Sequence, residues 1–166
     1  MPSTITQGYR ALLDEALAEI TTIAASDALA LLGSPDHVFI DLRDPRELKR
    51  EGKIPGAFSC TRGMLEFWID PASPYAKPIF QEDKTFVFYC ASAWRSALAT
   101  KAAQDMGLAP VAHVEGGFSA WKKAGDVVLL QFRDRSEKEI PTVCESAARA
   151  GALFGRNLCR PPSKRP

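Results

Sequence analysis

The stretch TFVFYCASAWRSALATKAAQDMG, residues 85–107, holds a strand, a loop and a helix in that order. Thr85 to Tyr89 is a short run of aromatic and β-branched residues, the pattern of a strand covered on both faces. Ser96 to Met106 is rich in alanine and reads as a helix, and Gly107 stops it. Between the two lie Cys90 to Arg95. A cysteine at a strand-to-helix junction meets backbone amides and the positive end of the helix, and both stabilise a thiolate, the nucleophilic form. The small residues Ala91, Ser92 and Ala93 let the loop amides converge on one point as an anion cradle, and Arg95 adds a fixed positive charge. Taken alone, a cysteine after an apolar strand is more often an inert core residue. Its neighbours therefore decide the reading.

Upstream, Leu12, Leu13, Ala16, Leu17 and Ile20 recur at helical spacing, so Gly8 to Ile20 reads as an amphipathic helix beside the domain. A short extended piece, Thr22 to Ala24, follows. Ser26 then caps a brief helix, Asp27 to Leu32, that Gly33 ends. Val38 to Leu42 is a second buried strand, with Asp41 near its end. Asp44, Pro45 and Glu47 occupy the N-cap, N1 and N3 positions of a helix that Gly52 terminates. Ile54 to Ser59 leads into another short strand. Met64 to Phe80, with Pro71, Pro74 and Pro78, reads as a structured loop. Downstream, Val111 to Val114 is a strand, and Gly116 and Gly117 turn the chain into a short helix that carries Trp121 and closes at Gly125. This alternation defines an α/β fold, a mostly parallel sheet with helices on both faces, whose sites gather beyond the carboxyl ends of the strands. Cys90 stands at such an end.

Three segments follow: an N-terminal helical extension (residues 1–21), the α/β domain (22–125) and a C-terminal extension (126–166). In the last, Val127 to Phe132 is apolar, and Thr142 with Glu145 forms a capping box for a helix reaching Leu158. Ala147, Gly151 and Gly155 share one face of that helix, which suits docking on its own domain or, as the alternative, a homodimer contact. Arg160 to Pro166 is too poor in apolar residues to order itself.

With 166 residues, 46% hydrophobic and 25% charged, the chain can bury a real core. A net charge of +1 gives no strong field for nucleic acid or an anionic membrane surface. Neither a signal peptide nor a transmembrane stretch is evident, and Cys60, Cys90, Cys144 and Cys159 form no close pair, so a cytoplasmic location with reduced thiols is expected. Only His37 and His113 are available as imidazole ligands, so no metal and no cofactor are expected.

DLRDPREL, EGKIPGA, FVFYCASAWRSA and HVEGGFSAW, in that order over roughly Thr22 to Gly125, resemble the rhodanese-like domain family. The resemblance implies a sulfurtransferase: Cys90 attacks the outer sulfur of a donor such as thiosulfate, and the resulting persulfide passes its sulfur to cyanide, a small thiol or a protein thiol. It implies further that the amides of Ala91, Ser92, Ala93, Trp94 and Arg95 hold the persulfide, with Asp41 and Arg43 supporting the site from the neighbouring strand or forming a structural ion pair. Arg62 is a candidate anion contact. Three departures stand out: Ala93 and Trp94 where many relatives carry glycine in the loop, Lys53 in place of a histidine, and Cys60 near a stretch that often reads proline. Alanine in the loop costs energy if its φ is positive. Trp94 lines the substrate mouth or packs on the domain, and Cys60 is a resolving thiol or, the favoured reading, a buried strand residue. Related phosphatases of this fold have a loop one residue longer, suited to tetrahedral phosphate, while the five steps from Cys90 to Arg95 suit a single sulfur atom. Phosphatase, arsenate reductase and a non-catalytic binding module are the alternatives.

Overall fold

A computed structural model of the chain describes residues 4–125. The elements run α1 (Tyr9–Glu19), β1 (Thr21–Ile23), α2 (Ala25–Ala30), β2 (His37–Asp41), α3 (Pro45–Glu51), β3 (Phe58–Ser59), α4 (Leu65–Ile69), β4 (Thr85–Tyr89), α5 (Trp94–Asp105), β5 (Val111–Val114) and α6 (Gly117–Lys123). Short 3-10 turns stand at Arg62–Met64 and Pro78–Gln81. Five strands form one parallel sheet in the order β1-β5-β4-β2-β3.

Side chains alternate across a strand, and the two faces of this sheet meet different cores. On β4, Phe86 and Phe88 enter one core with Leu65, Ile69 and Phe80, against which Ala99 and Ala103 of α5 pack. Val87 and Tyr89 enter the other, with Ala28 of α2 and with Phe118 and Trp121 of α6. Covered on both sides, β4 reads as an unbroken apolar run for this reason. A third cluster, Leu13, Ile20 and Ala97, joins α1 to α5. Leu12 and Leu17, expected on the same apolar face of α1, stay exposed.

Three local expectations are corrected. The N-cap of α2 is Ala24 without a side-chain bond, so Ser26 lies inside the helix rather than capping it. The stretch after Met64 is not only loop: Leu65 and Ile69, one turn apart, bury one side of a single helical turn before Pro71. Helix α5 begins at Trp94, two residues before Ser96. The capping box at α3 forms as expected, with Asp44 Oδ1 accepting from Arg46 N at 2.8 Å and Glu47 Oε2 from Asp44 N at 3.0 Å. The readings for residues 126–166 lie outside the described residues.

Candidate active site

The central strand β4 delivers Cys90 to the carboxyl edge of the sheet, and the loop from Cys90 to Arg95 is held from behind. Phe118 N donates to Cys90 O at 2.7 Å, and Ser119 N to Ala91 O at 3.0 Å. In a planar trans peptide the carbonyl and the following amide point opposite ways. The amides of Ala91 and Ser92 therefore face away from α6. Among the described residues, no backbone carbonyl accepts from the amides of Ala91 to Ser96, so the loop and the first turn of α5 keep donors for another partner.

The approach of α6 depends on Gly117, whose φ is +58°. A Cβ there would lie 2.4 Å from Cys90 O and 2.9 Å from Ala93 N. Ala93, the N-cap of α5, has φ 72° and ψ −14°. The expectation attached to alanine at this place is met: the loop needs a left-handed residue, and an L-side chain strains it.

Arg95 is claimed by a residue that sequence reading used only as a helix cap. Its Nη1 donates to Glu47 Oε2 and its Nη2 to Glu47 Oε1, each at 2.8 Å, across 48 positions of chain. The pairing with Arg95 holds the Glu47 carboxyl down at about 2, against an ordinary 4.5. The guanidinium is kept charged by Glu47 first, with a smaller contribution from Cys90. The place of Glu47 within DLRDPREL marks it as a cap residue, and nothing local in the sequence pairs it with Arg95.

The other expected residues divide. Asp41 and Arg43 are fully buried and bonded to each other, Arg43 Nε to Asp41 Oδ1 at 2.9 Å and Nη2 to Oδ2 at 2.7 Å. Arg43 also donates to Gly52 O and lies 3.9 Å over the Phe118 ring, so this pair fastens β2 to α3 and α6. Arg62 is engaged by Glu66 at 2.7 Å. Cys60 lies in the same apolar core as Cys90, and burial pushes its thiol up to about 12, with Glu66 adding to the effect. Such a thiol stays protonated, as a core residue does. Trp94, 57% exposed, stacks at a tilt on Tyr9 of α1 with ring centroids 5.3 Å apart. Together they border a groove of about 340 Å³ that reaches Ala93, Leu13, Leu17 and His113. Cys90 itself is only 1% exposed. It sits at the base of its loop.

Among the described residues, no cluster of three His, Cys, Asp or Glu side chains is arranged for a metal, and no helix is long and apolar enough to cross a membrane.

Fold and loop together define a parallel α/β domain bearing a cysteine loop at the carboxyl edge of its central strand. The chain belongs to the rhodanese-like domain family, whose profile matches residues 24–124. It is 67% identical to a Rhodopseudomonas palustris protein of unknown function described as a "possible tyrosine phosphatase", over 78% of this chain and 99% of that one, with a TM-score of 0.75. The polysulfide-sulfur transferase of Wolinella succinogenes, solved as a homodimer, is 28% identical over 78% of this chain and 93% of that one, with a TM-score of 0.57. An uncharacterized protein of Synechocystis sp. is 34% identical over 63% of this chain. The match spans about half of that curated relative, 53% of its length.

Proposed function

We propose that this protein is a sulfurtransferase that carries sulfane sulfur as a persulfide on Cys90. The Cys90 thiolate attacks the outer sulfur of a donor such as thiosulfate. The S–S bond breaks, its electron pair leaves with sulfite, and Cys90 bears one added sulfur. Cyanide, a small thiol or a protein thiol then attacks that sulfur, and the Cys90 thiolate departs with the bonding pair. Splitting one transfer into two displacements is covalent catalysis. The observation that carries this reading is the loop itself, five steps from Cys90 to Arg95, with amides that donate to no backbone carbonyl among the described residues. Preorganised donors of this kind stabilise the charge on sulfur in both steps. The likeness to a polysulfide-sulfur transferase supports the same chemistry.

Excess thiosulfate is expected to leave the purified chain heavier by one sulfur atom, located on Cys90 by peptide mapping, and cyanide to remove it as thiocyanate. Cys90→Ser loses both. Sulfur on Cys60, or none at all, would overturn the assignment.

The description of the Rhodopseudomonas palustris protein favours a second reading, a phosphatase acting through the same cysteine. A phosphate monoester dianion calls for an arginine free to meet its oxygens, and Arg95 is already held at both Nη atoms. Hydrolysis of an aryl phosphate that disappears in Cys90→Ser would put this reading first.

A further inference from the structure

We infer that Glu47 sets the charge selectivity of the Cys90 loop: by pairing with both Nη atoms of Arg95 it offsets the charge of the guanidinium that closes the loop, so that divalent oxyanions, thiosulfate among them, bind weakly and load Cys90 only in excess, while donors of low charge are favoured. This rests on the sulfur-transfer reading and narrows its donor class.

An arginine fork recognises an anion through two parallel N–H bonds and a full positive charge. In this molecule both are committed within the protein, at 2.8 Å on each side. The carboxylate is itself held, because Glu47 Oε2 also accepts from Asp44 N in the capping box of α3. Its side chain is 19% exposed and that of Arg95 41%, so water screens the pair less than it would an open surface pair. The guanidinium on β2 brings no compensating charge, since Arg43 is bound to Asp41 in the same two-pronged way. Among the described residues, what remains for a ligand is chiefly the set of neutral amide dipoles from Ala91 to Ser96, beside the guanidinium N–H groups that Glu47 leaves free. Such dipoles suit one sulfur bearing at most a single charge. Sulfate, arsenate, phosphate and the dianion of thiosulfate each bring a second charge that meets a carboxylate.

The favoured donor is then a hydropersulfide. Its outer sulfur bonds to Cys90, the S–S bond of the donor breaks, and the organic thiolate leaves with the electron pair.

Glu47→Gln tests the idea in the full chain. Glutamine is accepted at N3 of a capping box and can still accept one bond from Arg95, so α3 is retained while the negative charge is removed. Iodoacetamide alkylation of Cys90 is followed by intact mass at fixed pH and ionic strength while sulfate or arsenate is titrated. Sulfate should protect the Gln variant at about tenfold lower concentration than the wild type, the order expected from a carboxylate charge acting at short range in a partly screened site. Glu47→Asp, which restores the charge, should return weak protection. In turnover, KM for thiosulfate should fall in the Gln variant while KM for an alkyl hydropersulfide stays within about twofold. Equal sulfate protection in the wild type and the Gln variant, or an Asp variant that binds sulfate as the Gln variant does, overturns the proposal. The alkylation arm needs no turnover, so it stands or falls apart from the sulfur-transfer reading.

Discussion

Ala93 joins a backbone cost to the shape of the site. An L-residue at φ 72° gives up about 1 kcal/mol relative to the right-handed region, and glycine does not. Ala93 is the N-cap of α5, so the strain is the consequence of keeping a side chain where the loop turns into the helix. Ala93→Gly is expected to raise stability by about 1 kcal/mol in urea unfolding, with sulfur loading of Cys90 retained. Gly117 is the opposite case. An added Cβ 2.4 Å from Cys90 O must push the loop off α6, in a backbone conformation that already disfavours alanine. Gly117→Ala should cost about 2 kcal/mol or more, combining overpacking with the unfavourable φ, and it should slow sulfur loading as well.

At the scale of elements, α3 does more than cover the sheet. Its capping box fixes Glu47, and Glu47 fixes Arg95, so a helix cap reaches the cysteine loop through a single side chain. Asp44→Ala should cost about 1 kcal/mol in urea unfolding. It should also loosen the hold of Glu47 on Arg95, seen as protection of Cys90 from iodoacetamide at lower sulfate concentration than in the wild type. Much of this architecture was legible in the chain, because strand runs, the Asp44-Pro45-Glu47 cap and the glycine stops are local patterns. The start of α5 was misplaced for a physical reason: its N-cap, Ala93, has no side chain able to cap, and Ser96 was the first residue that looked like a beginning. Ser96 instead donates its hydroxyl to Ala93 O at 3.0 Å, one turn back. Helix α4 was hidden because a single turn offers too few positions for a 3.6-residue period to show. The Glu47 to Arg95 pair could not be read at all, since two charges 48 positions apart leave no mark in either local pattern.

The whole molecule should lose stability in two stages as it is acidified. His113 sits on β5 beside the edge strand β1, its Nε2 2.9 Å from Thr22 Oγ1, and burial holds its pKa below the ordinary 6.5. Once pH drops below 6.5, the unfolded chain takes up a proton that the folded chain refuses, so folding weakens from there downward. Glu47 acts later. Its carboxyl is held at about 2 by Arg95 against 4.5 when unpaired, so its contribution is complete above 4.5 and is lost as pH falls through about 2. Chemical denaturation measured from pH 8 to pH 2 should therefore show an upper step that His113→Gln flattens and a lower step that Glu47→Gln flattens. The upper step reports the junction of β1 with the sheet, and the lower one the clamp on the cysteine loop. The two sites share no hydrogen-bond partner, so the double variant should show the sum of the two single effects to within about 0.5 kcal/mol. A pH profile unchanged by Glu47→Gln below pH 4.5 would mean that the carboxylate is not held by Arg95 in solution, and the charge balance at Cys90 would then have to be redrawn.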